Sequence, residues 1–408
     1  MTRGRTSRPK SGRSENARWT GAFPMEATRW SQEPSHSAPD VRFLVVGGGM
    51  QGEVIARNLA ERKETEQVTL ADVRLPAGPR LPRKCARVRA NALDPDDLAR
   101  VSRKADAAIL AVPSVIARRA LANLIETGVP TVDISFTPEP PLDLFRRARR
   151  SRVPVVLDCG LAPGLSHILA AAAHRELGGL DSLRIYVGGI PQVPPAVFRH
   201  AVYFNARDLL DEYIRPARMR RRGRNIAPHP LDAPVESLRD LRVGRLEAFP
   251  SDGLRTLLTS FTAVRDMAEL TLRHPGHLGA MRSLRTEGLL EGDRRTDSLA
   301  STLATLFPSA WFPDRVLMDV RGRRAGRERR FSLHAIQGKS GNAMARTTGF
   351  TGAAAAVLLA SGDFVETGVH PPERLGNDPK LTEAILADLG SRGIRVEKRG
   401  TLRVIGTA

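Results

Sequence analysis

Long apolar runs, cysteine, lysine and aromatic residues are all scarce in this 408-residue chain. No apolar stretch reaches the roughly 20 residues that a helix needs to cross a bilayer, so no membrane partner is expected. Cys85 and Cys159 are the only cysteines, far apart and without ligand-like spacing. Neither a disulfide framework nor a metal site follows from them, and a reducing cytoplasm is the compartment that fits. Aromatic residues make up 5% of the chain, which leaves few platforms for stacking single-stranded bases. Acidic residues are outnumbered, giving a net charge of +19, a balance that ordinarily points to nucleic acid. Yet lysine is confined to Lys10, Lys63, Lys84, Lys104, Lys339, Lys380 and Lys398, and arginine is spread through almost every segment. The two densest clusters, "RPARMRRRGR" (215–224) and "RGRRAGRERR" (321–330), read as solvated hairpin faces. Nucleic acid is therefore not the expected partner.

Residues 1–40 mix Arg, Ser, Pro and Gly without apolar periodicity and read as a disordered basic tail with no secretory h-region. From residue 41 the pattern changes. Short apolar runs recur at 41–47, 67–73, 86–92, 107–113, 130–136 and 154–159, separated by helical stretches such as "EVIARNLAER", "DDLARVSRK" and "SVIARRALANLIETG". Asp94 is placed to N-cap the second of these helices. Strands that are apolar throughout belong to a parallel sheet covered on both faces, so the fold class is α/β, a doubly wound Rossmann-type sheet.

Three consecutive glycines stand where the first strand meets the first helix, in "VRFLVVGGGMQGEVIARNLAE" (41–61). Gly47-x-Gly49-x-x-Gly52 in that context is a dinucleotide-binding fingerprint. Gly47 permits the tight turn, Gly49 lets a pyrophosphate approach the backbone, and Gly52 lets the helix pack closely on the strand. Met50 and Gln51 open the helix whose N-terminal N–H groups face the phosphates. Asp72 ends the second strand, where a carboxylate accepts from both ribose hydroxyls, so NAD is the expected cofactor. Arg74 could instead pair with a 2′-phosphate, which keeps NADP as the alternative.

Ligands of such sheets bind beyond the carboxyl ends of the strands. That zone comprises "AVPS" (111–114), "DISF" (133–136) and "DCGLAPGLSH" (158–167). Val112, Pro113, Ser114 and Gly160 are expected at the cofactor. Phe136, Pro163 and Gly164 are expected at the substrate. Asp133 and Asp158 sit at strand ends, where a carboxyl either caps a neighbouring loop or moves a proton; Asp133 is carried as a catalytic candidate.

At these residues the chain resembles a known family. "DCGLAPGLS" (158–166), "YVGGIP" (186–191), "LDEYIRPA" (210–217), "LEAFPSDGLRTLL" (246–258), "TLRHPGH" (271–277) and "SGNAMARTTGF" through "GVHPPE" (340–373) occur in an order similar to the saccharopine dehydrogenase-like family, and within it to the L-lysine 6-dehydrogenase branch. The resemblance covers roughly residues 41–400. It implies a Rossmann domain (41–162) split by an inserted α+β substrate and dimerisation domain with a mixed sheet (163–344), and a C-terminal segment (345–408) that returns to the first domain. It also implies a nicotinamide cofactor, an amino-acid substrate oxidised at carbon–nitrogen, and a homo-oligomer, dimer or higher, formed through the substrate domain. The saccharopine reductases carry an acidic residue where this chain has Ala162, a tyrosine near Phe136 and a cysteine near Val187. Their absence shifts the expected donor from saccharopine to the lysine ε-amine. A saccharopine- or carboxy-polyamine-type dehydrogenase and a non-catalytic dinucleotide sensor remain the alternatives.

The substrate domain reads as strands at 183–191, 199–204 and 331–336, helices at "GLRTLLTSF" and "GHLGAMRSLRTEGLL", and a strand and turn at 215–224. An amino-acid substrate needs a cation for its carboxylate, and a planar guanidinium matches it best. Arg273 and Arg346 lie in the most motif-like stretches. An alkyl ammonium, with a pKa of about 10, must lose a proton before the adjacent carbon can release hydride. His277 is the leading base, His274 is placed beside the substrate, and Lys339 and His167 are alternatives.

Overall fold

Two sheets carry the chain, and this computed structural model describes residues 40–74, 80–338 and 340–407. The basic tail read at 1–40 falls, apart from Asp40, outside the described residues, as does Lys339.

The first sheet begins with β1 (Val41–Val46), β2 (Thr65–Asp72), β3 (Cys85–Arg89), β4 (Ala107–Leu110), β5 (Thr131–Asp133) and β6 (Pro154–Val156). All six coincide with the expected apolar runs. β1 lies between β4 and β2, all pairs are parallel, and the order runs β6-β5-β4-β1-β2-β3. Alternate residues of β1 explain why the run is apolar throughout. Phe43 and Val45 point into one core with helix α1 (Met50–Ala60), whereas Leu44 and Val46 point into another with α2 (Pro95–Ser102) and α3 (Ser114–Glu126). Asp94 caps α2 as expected, accepting from the Asp96 and Asp97 amides.

After α4 (Phe145–Arg150) and the buried helix α5 (Leu165–Leu177), the chain enters a mixed sheet. Its strands are β7 (Ser182–Pro191), β8 (Met219–Arg221), β9 (Arg224–Ile226), β10 (Glu236–Asp240), β11 (Gly244–Ser251), β12 (Asp266–Arg273), β13 (Asp314–Arg324) and β14 (Arg327–Ile336). β7 and β12 are parallel neighbours, and β12 pairs antiparallel with β11. Helix α6 (Ala206–Ile214) follows β7.

Helix Ala343–Ala360 then crosses back to the first sheet and packs on α1, β4 and β5. Asp314, at the start of β13, fixes its N-terminus by accepting from Ala343 N (2.6 Å) and Met344 N (2.8 Å). By length and composition this helix could cross a bilayer, which corrects the reading that no such run exists. However, 72% of it is buried inside the fold, as befits a core helix. β15 (Gly368–His370) adds a seventh strand beside β6.

Two further expectations are corrected. The segment after residue 345 returns to the first sheet through the Ala343–Ala360 helix and β15, but its last part departs from the expectation: β16 (Val396–Glu397) pairs with β14 and β17 (Arg403–Thr407) with β10. Residues 199–204 form no strand. Val202 makes an isolated bridge to Pro308 and packs with Phe198 and Phe307, so the apolar alternation there serves a local cluster.

Candidate active site

The glycine turn is shaped by backbone contact. Gly47 has φ of +107°, and a Cβ there would lie 2.2 Å from the Ala111 carbonyl oxygen. A Cβ on Gly52 would lie 1.8 Å from the Gly47 oxygen, so α1 rests directly on the turn. At Gly49 an added Cβ would meet nothing within 4 Å, leaving the backbone bare toward open space. Asp72 closes the turn from β2: Oδ2 accepts from Gly48 N at 2.6 Å and Oδ1 from Arg74 N at 2.8 Å.

That open space is a cavity of about 710 Å³. One side follows the carboxyl ends of the first sheet's strands: Val46, Gly47 and Gly49 at the end of β1 with Met50 and Gln51 opening α1, Ala71 to Val73 at the end of β2, Ala90 to Ala92 after β3, Ala111 to Pro113 after β4, and Ile134 to Phe136 after β5. It spans the point where β1 parts β4 from β2, the crevice in which open α/β sheets bind ligands. The bare Gly49 backbone, the amide end of α1 and the anchored Asp72 fit a dinucleotide.

The opposite side comes from the second sheet and α6, and it is strongly charged. Asp208, Asp211, Glu212, Arg215, Asp252, Glu269 and Arg273 all line it. Most are committed to one another. Asp208 Oδ1 accepts from Ser114 Oγ (2.8 Å), Asp211 pairs with Arg207 and with Arg215 (2.8 Å), and Asp252 pairs with Arg218 (2.8 Å). Arg273 is used on every side: it is salt-bridged to Glu212, and it donates from Nε to Tyr213 Oη (2.8 Å) and from Nη1 to Leu272 O (2.9 Å). Arg215 is different. One nitrogen holds Asp211, the guanidinium lies 4.9 Å from the Phe136 ring centroid, and the remainder borders the cavity.

Glu269 is the outlier among these acids. It is 4% exposed, its Oε2 has no hydrogen-bond partner, and burial lifts its carboxyl to about 8, with the Glu212 and Asp252 charges adding to the rise.

Of the residues expected from sequence, Gly47, Gly49, Met50, Gln51, Asp72, Val112, Pro113, Phe136, Pro163 and Arg273 line the cavity. Gly52 supports the turn from behind. Several others need correction. His277 is fully buried, with Nδ1 on Phe198 O (2.7 Å) and Nε2 on Tyr213 Oη (2.8 Å), and burial lowers its pKa to about 3. It does not reach the cavity and braces Tyr213, which in turn braces Arg273. His274 bonds Pro191 O (2.8 Å), and His167 bonds Leu254 O (3.1 Å); neither lines the cavity. Arg346 lies elsewhere, donating to Ile336 O and Arg392 O.

Asp133 is buried without lining the cavity and accepts from Ser135 N (2.8 Å), the turn-supporting role. Burial raises its pKa to about 7. Ser114 is turned to Asp208, and Gly160 and Gly164 pack on each other around Pro163. Glu269, Arg215, Glu212 and Asp252 were missed. The legible signal was an acid inside the apolar run "MAELTL" of β12.

Comparison with known proteins agrees with this architecture. The family model described as saccharopine dehydrogenase NADP binding domain matches residues 43–156, and the one described as saccharopine dehydrogenase C-terminal domain matches residues 160–394. Among solved structures, apo histidine-tagged saccharopine dehydrogenase (L-Glu forming) from Saccharomyces cerevisiae shares the fold. The TM-score is 0.68 at 16% identity, covering 90% of this chain and all of that one. DAP dehydrogenase from C. glutamicum in complex with DAP matches with a TM-score of 0.43 at 11% identity, covering 86% and 99%, a likeness too low to argue from.

Proposed function

Since this chain belongs to the saccharopine dehydrogenase family of NAD(P)-dependent oxidoreductases acting on amine donors, we propose that it oxidises the amino group of an amino acid, most concretely the ε-amine of L-lysine. The product is the imine, which hydrolyses to a semialdehyde able to cyclise. The observation that carries this reading is the continuity of one cavity from the glycine turn to a wall lined by both Arg215 and Glu269, whose Oε2 has no hydrogen-bond partner. When bound, the nicotinamide supplies the hydride acceptor. The chain's own part is to hold the two ends of the donor. Arg215 suits a carboxylate, because a guanidinium can give it two parallel hydrogen bonds. The acidic wall suits an ammonium. Phe136, Ala162 and Val187 all line the cavity, so the three positions at which a saccharopine site would be polar are apolar here.

A screen for reduced-cofactor absorbance across lysine, ornithine, saccharopine and polyamine-like amines tests the reading. Lysine should be the best donor. No turnover with any of them, or a preference for saccharopine, would overturn it.

For the cofactor, the anchored Asp72 carboxylate favours a ribose diol over a 2′-phosphate, and we expect NAD to be preferred. Asp72→Ala should shift the NAD-to-NADP affinity ratio toward NADP by about 1.5–3 kcal/mol, the range for hydrogen bonds to a charged group. Dinucleotide fluorescence titrations measure it; an unchanged ratio removes Asp72 from the choice.

A further inference from the structure

β12 places its side chains alternately. Ala268, Leu270 and Leu272 enter the hydrophobic core, while Glu269, Thr271 and Arg273 line the cavity. A carboxyl at the middle of such a strand is costly to bury unless it is partnered or functional. Its neighbours do little to compensate it. Ser251 stands directly opposite on β11 and favours the ionised form, as does Arg255, but burial and the charges of Glu212 from α6 and Asp252 from the end of β11 outweigh them. Arg273, on the same strand, is saturated by Glu212, Tyr213 and Leu272. Among the cavity-lining carboxylates, Asp72 is held by two amides, Asp208 by Ser114, and Asp211, Glu212 and Asp252 by arginines. The Oε2 of Glu269 has no partner.

The carboxyl is also fixed in place. Gly253 presses against it so closely that a Cβ there would lie 1.5 Å from Oε1. A carboxyl fixed between the Gly253 backbone and β12 at the cavity wall, with one buried oxygen that has no partner, keeps an unspent acceptor beside the cavity.

We propose that Glu269 binds the amino group of the substrate and accepts its proton. The step is an acid–base exchange. One N–H bond of the ammonium breaks, an O–H bond forms on the carboxylate, and the lone pair stays on nitrogen, free to drive carbon–nitrogen oxidation. Nothing is oxidised or reduced in this step. Proton affinity suits the role: an amine of pKa about 10 facing an ordinary carboxylate near 4.3 is disfavoured roughly 10⁶-fold for transfer, whereas a carboxyl at about 8 reduces the factor to about 10².

This assignment rests on the reading of the site as an amine site, and its test is binding to the full-length protein without added dinucleotide. In calorimetric titrations, wild type should bind L-lysine at least about tenfold more tightly than Glu269→Gln, since a charged hydrogen bond is lost. L-norleucine, which keeps the carboxylate and lacks the ε-amine, should bind both proteins alike. In wild type, lysine affinity should rise as pH increases through about 8 and Glu269 ionises, whereas norleucine affinity stays flat. Gly253→Ala, which displaces the carboxyl without changing its charge, should reproduce the selective loss of lysine and serves if Glu269→Gln does not fold.

Equal lysine affinity in wild type and both variants would overturn the proposal. So would a flat pH profile, or failure of wild type to bind lysine, ornithine and 1,5-diaminopentane. Glu269-dependent lysine binding without oxidation of any amine would refute the proposed function alone. Lysine oxidation unaffected by Glu269→Gln would refute this assignment alone.

Discussion

Arg255→Ala is expected to lower the unfolding free energy by about 3–5 kcal/mol, the cost of stranding one partner of a buried ion pair. Both side chains are sealed: Arg255 is 0% and Asp158 1% exposed. Nε and Nη2 reach the two Asp158 oxygens at 2.6 and 3.0 Å, Nη1 donates to Thr137 O at 2.6 Å, and the guanidinium lies 4.3 Å from the Phe136 ring centroid. The pair joins the loop after β6 to the stretch after β11, and so ties the dinucleotide side of the cavity to the Glu269 side. Without Arg255, the Asp158 carboxylate would be buried near Asp133 with its direct partner gone and only the charge of Arg218 to offset it. Burial already raises the Asp158 pKa, and losing Arg255 raises it further. A carboxyl whose folded pKa lies above its unfolded value of about 3.9 loses stability as pH rises between the two values. The deficit of the variant should therefore be larger at pH 8 than at pH 5. Urea unfolding at both pH values measures it. A deficit below about 1 kcal/mol, or one independent of pH, would show that the pair is not the clamp described here.

Arg215→Ala is expected to reduce kcat/KM for lysine by roughly 30- to 150-fold, equivalent to about 2–3 kcal/mol for a charge-assisted contact to the substrate carboxylate. The loss should fall mainly on KM, because the carboxylate is bound in ground and transition states alike. A diamine such as 1,5-diaminopentane, which lacks the carboxylate, should lose little, and NAD affinity should be unchanged. Arg273→Ala should behave differently. Its guanidinium already serves Glu212, Tyr213 and Leu272, so its removal should appear first as lost stability. If Arg215→Ala leaves lysine kinetics untouched, the carboxylate lies elsewhere in the cavity.

Local features were the ones legible in the sequence. Gly47, Gly49 and Gly52 announce a turn because only glycine tolerates those backbone contacts. The strands β1 to β6 announce themselves because a sheet covered on both faces is apolar throughout, and Asp94 because its cap is satisfied within three residues. The far wall of the cavity was not legible, because whether an arginine there is free depends on carboxylates that arrive from other segments. Arg273 looked available until Glu212 and Tyr213 of α6 closed on it, whereas Arg215 sat inside a basic cluster that read as a solvated hairpin. That hairpin exists, as β8 and β9, and Arg221, Arg222 and Arg224 on it are exposed; Arg215 precedes it.

His277 illustrates the same limit. The second histidine of "TLRHPGH" was expected as the base, but Phe198 and Tyr213, brought in from before and within α6, enclose it. Glu269 is the exception on that wall: an acid among the apolar strand residues of "MAELTL" is a signal the sequence carries, although nothing local to it shows which cavity it lines.

On this reading the hydride leaves the carbon that bears the side-chain amine. That is tested most directly by supplying L-lysine deuterated either at Cε or at Cα, together with oxidised dinucleotide, and following the label by mass spectrometry. Deuterium is expected in the reduced dinucleotide from the Cε-labelled substrate and not from the Cα-labelled one. Transfer from Cα, or reduced dinucleotide that carries label from neither, would contradict this reading.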